Sequence, residues 1–146
     1  PHATRADDHG ARDVRIFAEQ VLPLAGTAPV IIAHSGGWGG LDANTWEAME
    51  GFRQVLAERP ELKTNLYFDL AQVFDADTSQ DDLARLVRVM RDIGVERFVA
   101  GSDWPFSGRL DGYLNGAMAR LPLAPDETRA LRTRQVGRSV TSPNSR

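Results

Sequence analysis

His34 closes the apolar run PVIIA and Asp103 follows the run RFVA by two residues, so an imidazole and a carboxylate each stand just past a stretch of strand-like sequence. In parallel α/β folds the reacting groups sit at the carboxyl ends of the strands, which is where these two residues fall. A neutral imidazole there can bind a metal or take up a proton, because its ordinary pKa of about 6.5 keeps both forms available near neutral pH. Taken singly, each residue has a plain alternative: a hydrogen-bonded structural histidine, and an aspartate in a turn helped by Gly101 and Ser102. Taken together, imidazole nitrogen and carboxylate oxygen are suitable ligands for zinc and other divalent ions. His2 is a further candidate metal ligand if a strand ends at PHATR, and Arg5 is a candidate partner for an anionic substrate. His9, in the polar segment ADDHG, reads as a solvated residue.

Other chemistries are excluded or weakly supported. There is no cysteine, which removes thiolate nucleophiles, disulfides and Cys-type zinc sites together. The glycines of SGGWGG have the flexibility to cradle a phosphate, but neither GxGxxG nor a GKS or GKT signature is present. The same segment lacks the GxSxG nucleophile elbow that a lipase-like serine mechanism needs. With 17 basic and 20 acidic residues spread along the chain, net charge -3, no basic stripe offers a footprint for nucleic acid. No apolar run approaches the ~20 residues of a membrane span, and PHATRADDHG has no signal-peptide core. The expectation is a cytoplasmic protein with a small-molecule substrate, no nucleic-acid partner and no membrane.

The elements that must hold these residues follow from periodicity. Val14, Phe17, Ala18, Val21 and Leu22 mark one face of a helix closed by Pro23 and Gly26. Pro29 to Ala33 is a continuous β-branched run, predicted as a strand buried on both sides. Asn44 and Glu47 have capping-box spacing for a helix with Trp46, Met49, Phe52 and Leu56 inward, ended by Pro60. Leu66 to Leu70 predicts a second strand. Thr78 or Ser79 caps a helix carrying Leu83, Leu86, Val87 and Met90, with Gly94 past its end. Arg97 to Ala100 predicts a third strand, and helices over Leu110 to Met118 and Pro125 to Leu131 complete the order. Such alternation predicts a parallel sheet covered by helices. Three strands, or four if the N-terminal residues end another, are few for one, which points to a fragment or an assembly partner.

The segments VIIAHSGGWGG, NLYFDLA and RFVAGSDWPF, in this order, resemble the amidohydrolase-related family of metal-dependent hydrolases and decarboxylases, over about residues 1 to 125. The resemblance implies the C-terminal half of a (β/α)8 barrel over residues 1–140; the polar end 141–146 is itself expected to be a disordered tail. In it His34 ends strand six, NLYFDL is strand seven, Asp103 ends strand eight, and His2 matches the strand-five histidine. It further implies that His2, Asp103 and His34 bind a divalent metal, zinc first. His34 and Asp103 would be the catalytic pair, and Trp38 and Trp104 would line the substrate pocket. The family's HxH pair on strand one has no counterpart here, and RTRQVGRSVTS stands where an asparagine-alanine helix is usual. The expected activity is therefore metal-assisted hydrolysis of a carboxylic ester, lactone or amide, or a related non-oxidative decarboxylation, with a site completed by a homo-oligomer or a missing N-terminal half. The competing expectation is a non-catalytic half barrel serving as a binding domain.

Overall fold

Three short apolar runs pair into one parallel sheet in the order β1-β2-β3, where β1 is Val30–Ile32, β2 is Leu66–Asp69 and β3 is Phe98–Val99. The computed structural model describes residues 11–103, 105–106, 108–134 and 136. The register sets Val30 beside Leu66, Ile32 beside Phe68, and Phe68 beside Phe98. Because side chains alternate across a strand, Leu66 and Phe68 share one face of the sheet, and both are fully buried there. Each strand leads to a helix: β1 to α2 (Ala43–Glu58), β2 to α3 (Gln80–Ile93) and β3 to α4 (Leu110–Asn115). A further helix, α1 (Ala11–Ile16), packs against α2, and α5 (Pro125–Thr133) follows α4. The architecture is thus α/β with a small parallel sheet.

The core lies between the sheet and the helices. Phe52 of α2 meets Phe68 edge-on with ring centroids 5.0 Å apart, and Phe68 stacks on Phe98 at 5.2 Å. Around these rings Met49, Leu56, Leu83, Leu86 and Met90 are buried. The α3 stripe is the one its sequence period predicts. Ser79 caps that helix by accepting from the Asp82 amide at 3.1 Å, and Gly94 ends it with φ of +120°, a conformation open to glycine.

Several expectations need correction. Ile31 is 49% exposed, so β1 is not buried on both sides; the helices cover the Val30 and Ile32 face and leave Ile31 on the other. The first helix changes winding after Ile16, passing through a π turn (Phe17–Val21) and a 3-10 turn (Leu22–Ala25). A π turn takes more residues than an α turn because its bonds run from i to i+5. Val14, Ala18 and Leu22 consequently point inward at intervals of four while Val21 turns outward. Asp42, not Asn44, caps α2: it stands extended before the first helical residue and accepts from the Thr45 amide at 2.8 Å, whereas Asn44 is already in the helix. Arg97 belongs to a tight turn (Val95–Arg97) rather than to β3. The helix expected over Leu110 to Met118 breaks at Gly116, whose φ of −96° and ψ of −99° are not helical. His2, Arg5, His9, Trp104, the expected fourth strand and the tail 141–146 lie outside the described residues. No helix of the described residues is long and apolar enough to cross a membrane.

A candidate active site at the carboxyl ends of the strands

Among the described residues, four that are not glycine have positive φ: His34 (+49°), Ser35 (+53°), Gln72 (+55°) and Asp103 (+59°). All follow strand ends, His34 and Ser35 after β1, Gln72 after β2 and Asp103 after β3. A left-handed backbone costs a residue with a Cβ roughly 1–2 kcal/mol. Such strain gathers where surrounding structure enforces it, commonly at functional sites.

The enforcing contacts tie the three loops together. Ser35 is fully buried and its hydroxyl donates to the Asp69 carbonyl at 2.9 Å. The Asp69 carboxylate accepts from the Ala71 amide at 2.5 Å, turning the chain sharply after β2. Gly101 admits that carboxylate, because a Cβ there would lie 2.5 Å from an Asp69 oxygen. The Gly40 amide donates to the Gln72 carbonyl at 2.5 Å, closing the glycine-rich loop onto the loop after β2.

Within this frame the His34 Nδ1 lies 2.7 Å from the Ala71 carbonyl oxygen. A carbonyl only accepts, so Nδ1 carries the hydrogen and Nε2 of the neutral ring presents its lone pair. The Asp103 Oδ1 lies 3.9 Å from that Nε2. The gap is too long for a direct hydrogen bond. A water bonded to both atoms at about 2.8 Å fits it. Both side chains remain open to solvent, 24% exposed for His34 and 31% for Asp103. A divalent ion needs more than this pair. Catalytic zinc takes about three protein ligands, and among the described residues no group of three His, Asp or Glu side chains is close enough to hold an ion. The pair supplies two ligands, and a tetrahedral site with bonds of about 2 Å would draw them together by about half an ångström.

Beside the pair opens a cleft of about 700 Å³, lined by Gln72, Phe74, Thr78, Ser102, Arg109 and Tyr113 with several glycines. Its size is that of a small-molecule site. His34 and Asp103 are not in its wall, but Gln72 follows Ala71, which fixes the imidazole, and Ser102 precedes Asp103. Tyr113 donates to the Leu70 carbonyl at 2.7 Å, and burial, reinforced by the Asp69 charge, raises its phenol above the ordinary tyrosine range. It stays protonated and stiffens the cleft wall. Trp38 is 55% exposed and stands outside the wall. Sequence reasoning missed Gln72, Arg109 and Tyr113. A signal existed for Tyr113, an aromatic in a glycine-bearing helix, but none for Gln72, whose importance lies in its backbone.

Comparison of the chain with protein-family models, curated proteins and solved structures returns no match.

Proposed function

We propose that this chain carries the active rim of a hydrolase acting on a carboxylic ester, lactone or amide, built as the C-terminal half of a (β/α)8 barrel. The carrying observation is the His34 geometry: Nδ1 is held by the Ala71 carbonyl at 2.7 Å, which leaves Nε2 as the nitrogen with a lone pair, 3.9 Å from the Asp103 carboxylate. A water in that space gives one proton to Nε2 while its oxygen forms a bond to the acyl carbon. The Asp103 carboxylate faces the imidazolium so formed and stabilises it. When the tetrahedral intermediate collapses, the bond to the leaving oxygen or nitrogen breaks and Nε2 returns the proton to that atom. A divalent ion, zinc first, would be held by Nε2 of His34, the Asp103 carboxylate and His2, and when bound it supplies an acidified water and a polarised carbonyl. Nε2 has one lone pair, so where it serves as a ligand the proton transfer falls to Asp103.

The test is hydrolysis of 4-nitrophenyl acetate and of a small panel of lactones, with and without added zinc, in the parent chain, His34→Ala and Asp103→Asn. Each substitution is expected to lower the rate about 10²–10⁴-fold, the usual share of a positioned acid or base. Equal rates in all three proteins would overturn the reading.

One observation favours a second reading, the non-catalytic half barrel. Ile31 stands 49% exposed on β1, which forms one edge of the sheet, so an apolar face and a row of unpaired backbone groups lie uncovered there among the described residues. Such edges are normally paired or covered. Sedimentation with metal analysis separates the two: a monomer without metal and without esterase activity supports the fragment.

A further inference from the structure

The cleft beside His34 and Asp103 has a polarity of its own. In its wall Asp75 is already committed, its Oδ1 accepting from the Asp77 amide, the Thr78 amide and the Thr78 hydroxyl at 2.9 Å each. Those bonds, the Thr78 hydroxyl foremost, hold its carboxyl below the usual carboxylate range, and the nearby Arg120 charge adds to the lowering. The loop is rigid as well as charged, because the Arg120 guanidinium donates to the carbonyls of Asp75, Ala76 and Thr78. Elsewhere in the wall stands Arg109, the one cation among the described lining residues. Its side chain is 81% exposed and meets Asp111 at 3.2 Å, and an ion pair so open to water is weak. Arg109 can therefore turn from Asp111 to a ligand at little cost.

Part of the wall is apolar. Phe74 and Tyr113 lie with ring centroids 5.6 Å apart and tilted by 35°, and Ala76 and Ala117 extend the same wall. Gly112 opposes any narrowing: no described atom lies within 4 Å of where its Cβ would project. Gln72 and Ser102, next in the chain to Ala71 and Asp103, give the wall a polar, uncharged part. Among the described residues no partner bonds the Gln72 amide, which leaves one donor group and one acceptor for a ligand.

We infer that this cleft takes a substrate with an aromatic or alicyclic body and a free carboxylate, the body against Phe74 and Tyr113, the carboxylate on Arg109, and the acyl group to be cleaved beside Gln72 and Ser102. The inference rests on the hydrolase reading for the role of the acyl group, and on the cleft alone for the acid and the body. Arg109 is the one cation of the described wall, which is why the carboxylate is placed there.

Binding is measured by protein-observed NMR titration with 3-phenylpropionate and with 3-phenylpropan-1-ol, which share the ring and chain and differ in the charge. The acid should bind about tenfold tighter than the alcohol, the gain of one charge-assisted contact. Arg109→Gln, an exposed change that leaves the fold intact, should remove that preference. Gly112→Leu, which projects into the cleft, should weaken both probes about tenfold or more, with circular dichroism confirming a folded chain. His34→Ala should leave both affinities unchanged. Absent binding, equal affinity for acid and alcohol, an acid preference that survives Arg109→Gln, or affinities that survive Gly112→Leu would each overturn the inference. Preferential acid binding without ester hydrolysis would sink the hydrolase reading and leave the cleft assignment standing. Ester hydrolysis without acid preference would do the reverse.

Discussion

Phe68 and His34 belong to the same three-stranded sheet, and the surroundings of the two differ at every level. Phe68 has extended backbone geometry, no exposed surface, and aromatic neighbours on both sides, Phe52 at 5.0 Å and Phe98 at 5.2 Å. His34 has a left-handed backbone, a side chain 24% open to solvent, and a ring nitrogen 3.9 Å from a carboxylate, beyond hydrogen-bond reach. Every local preference of the Phe68 layer agrees with the fold. On the rim, four non-glycine residues sit against their preference, and the loops are bonded tightly enough to keep them there. Where a well-packed layer supports a strained edge, the edge is the place to look for function.

The contrast is largest in stability. Phe68→Ala removes the ring joining α2 to β3 and should destabilise the chain by about 3–5 kcal/mol, the range for a buried phenylalanine lost to a cavity. His34→Ala removes a half-exposed ring and one hydrogen bond, so it should cost about 1 kcal/mol. Urea unfolding of the two variants checks this. Equal losses would mean that the rim, too, is part of the core.

A smaller effect appears with acid. Glu127 accepts from the Ala124 amide at 2.7 Å and meets Arg91 of α3 at 2.8 Å, joining α5 to α3 well away from the rim. Chiefly through Arg91, and then through Ala124, its carboxyl is lowered from 4.5 to about 2. A carboxyl depressed in the folded state adds stability above its unfolded pKa, and that stability is lost as pH falls from about 4.5 towards 2. With Arg91 half exposed, solvent screening keeps this contribution small. Glu127→Gln should remove that part of the acid transition and leave esterase activity at neutral pH unchanged. Parallel acid profiles for the two proteins would show that the pair contributes nothing.

The layer was easier to read from sequence than the rim, for a physical reason. Apolar period writes itself into composition, so Leu83, Leu86, Val87 and Met90 marked α3, and PVIIA marked β1 to within two residues at each end. What period does not carry is which face a helix will cover, and Ile31 therefore came out exposed. His34 and Asp103 could be named because their types are chemically distinctive and their places follow strand ends. Gln72 could not, since its part depends on a backbone angle, and neither could the tautomer of His34, which is set by the carbonyl of Ala71, a residue 37 positions away. Asp42 took the cap from Asn44 because both are good caps, and only the point where the chain turns helical decides between them.

The smallest effect is the one that separates rim from layer by sign. Gln72 holds φ of +55° with its side chain exposed, so Gln72→Gly removes a left-handed penalty of roughly 1–2 kcal/mol. Against that, glycine widens the unfolded ensemble at a cost of about 0.4–1 kcal/mol. The net should be a stabilisation of a few tenths to about 1 kcal/mol. Ala84→Gly, inside α3, makes the opposite case: its residue is helical and without strain, so glycine there should cost about 1 kcal/mol. Two substitutions to glycine would then move the melting temperature in opposite directions. If Gln72→Gly instead lowers the melting temperature as far as Ala84→Gly does, the left-handed backbone after β2 stores no strain. In that case the rim would be an ordinary set of loops, and the clustering of positive φ would lose its weight as a mark of the site.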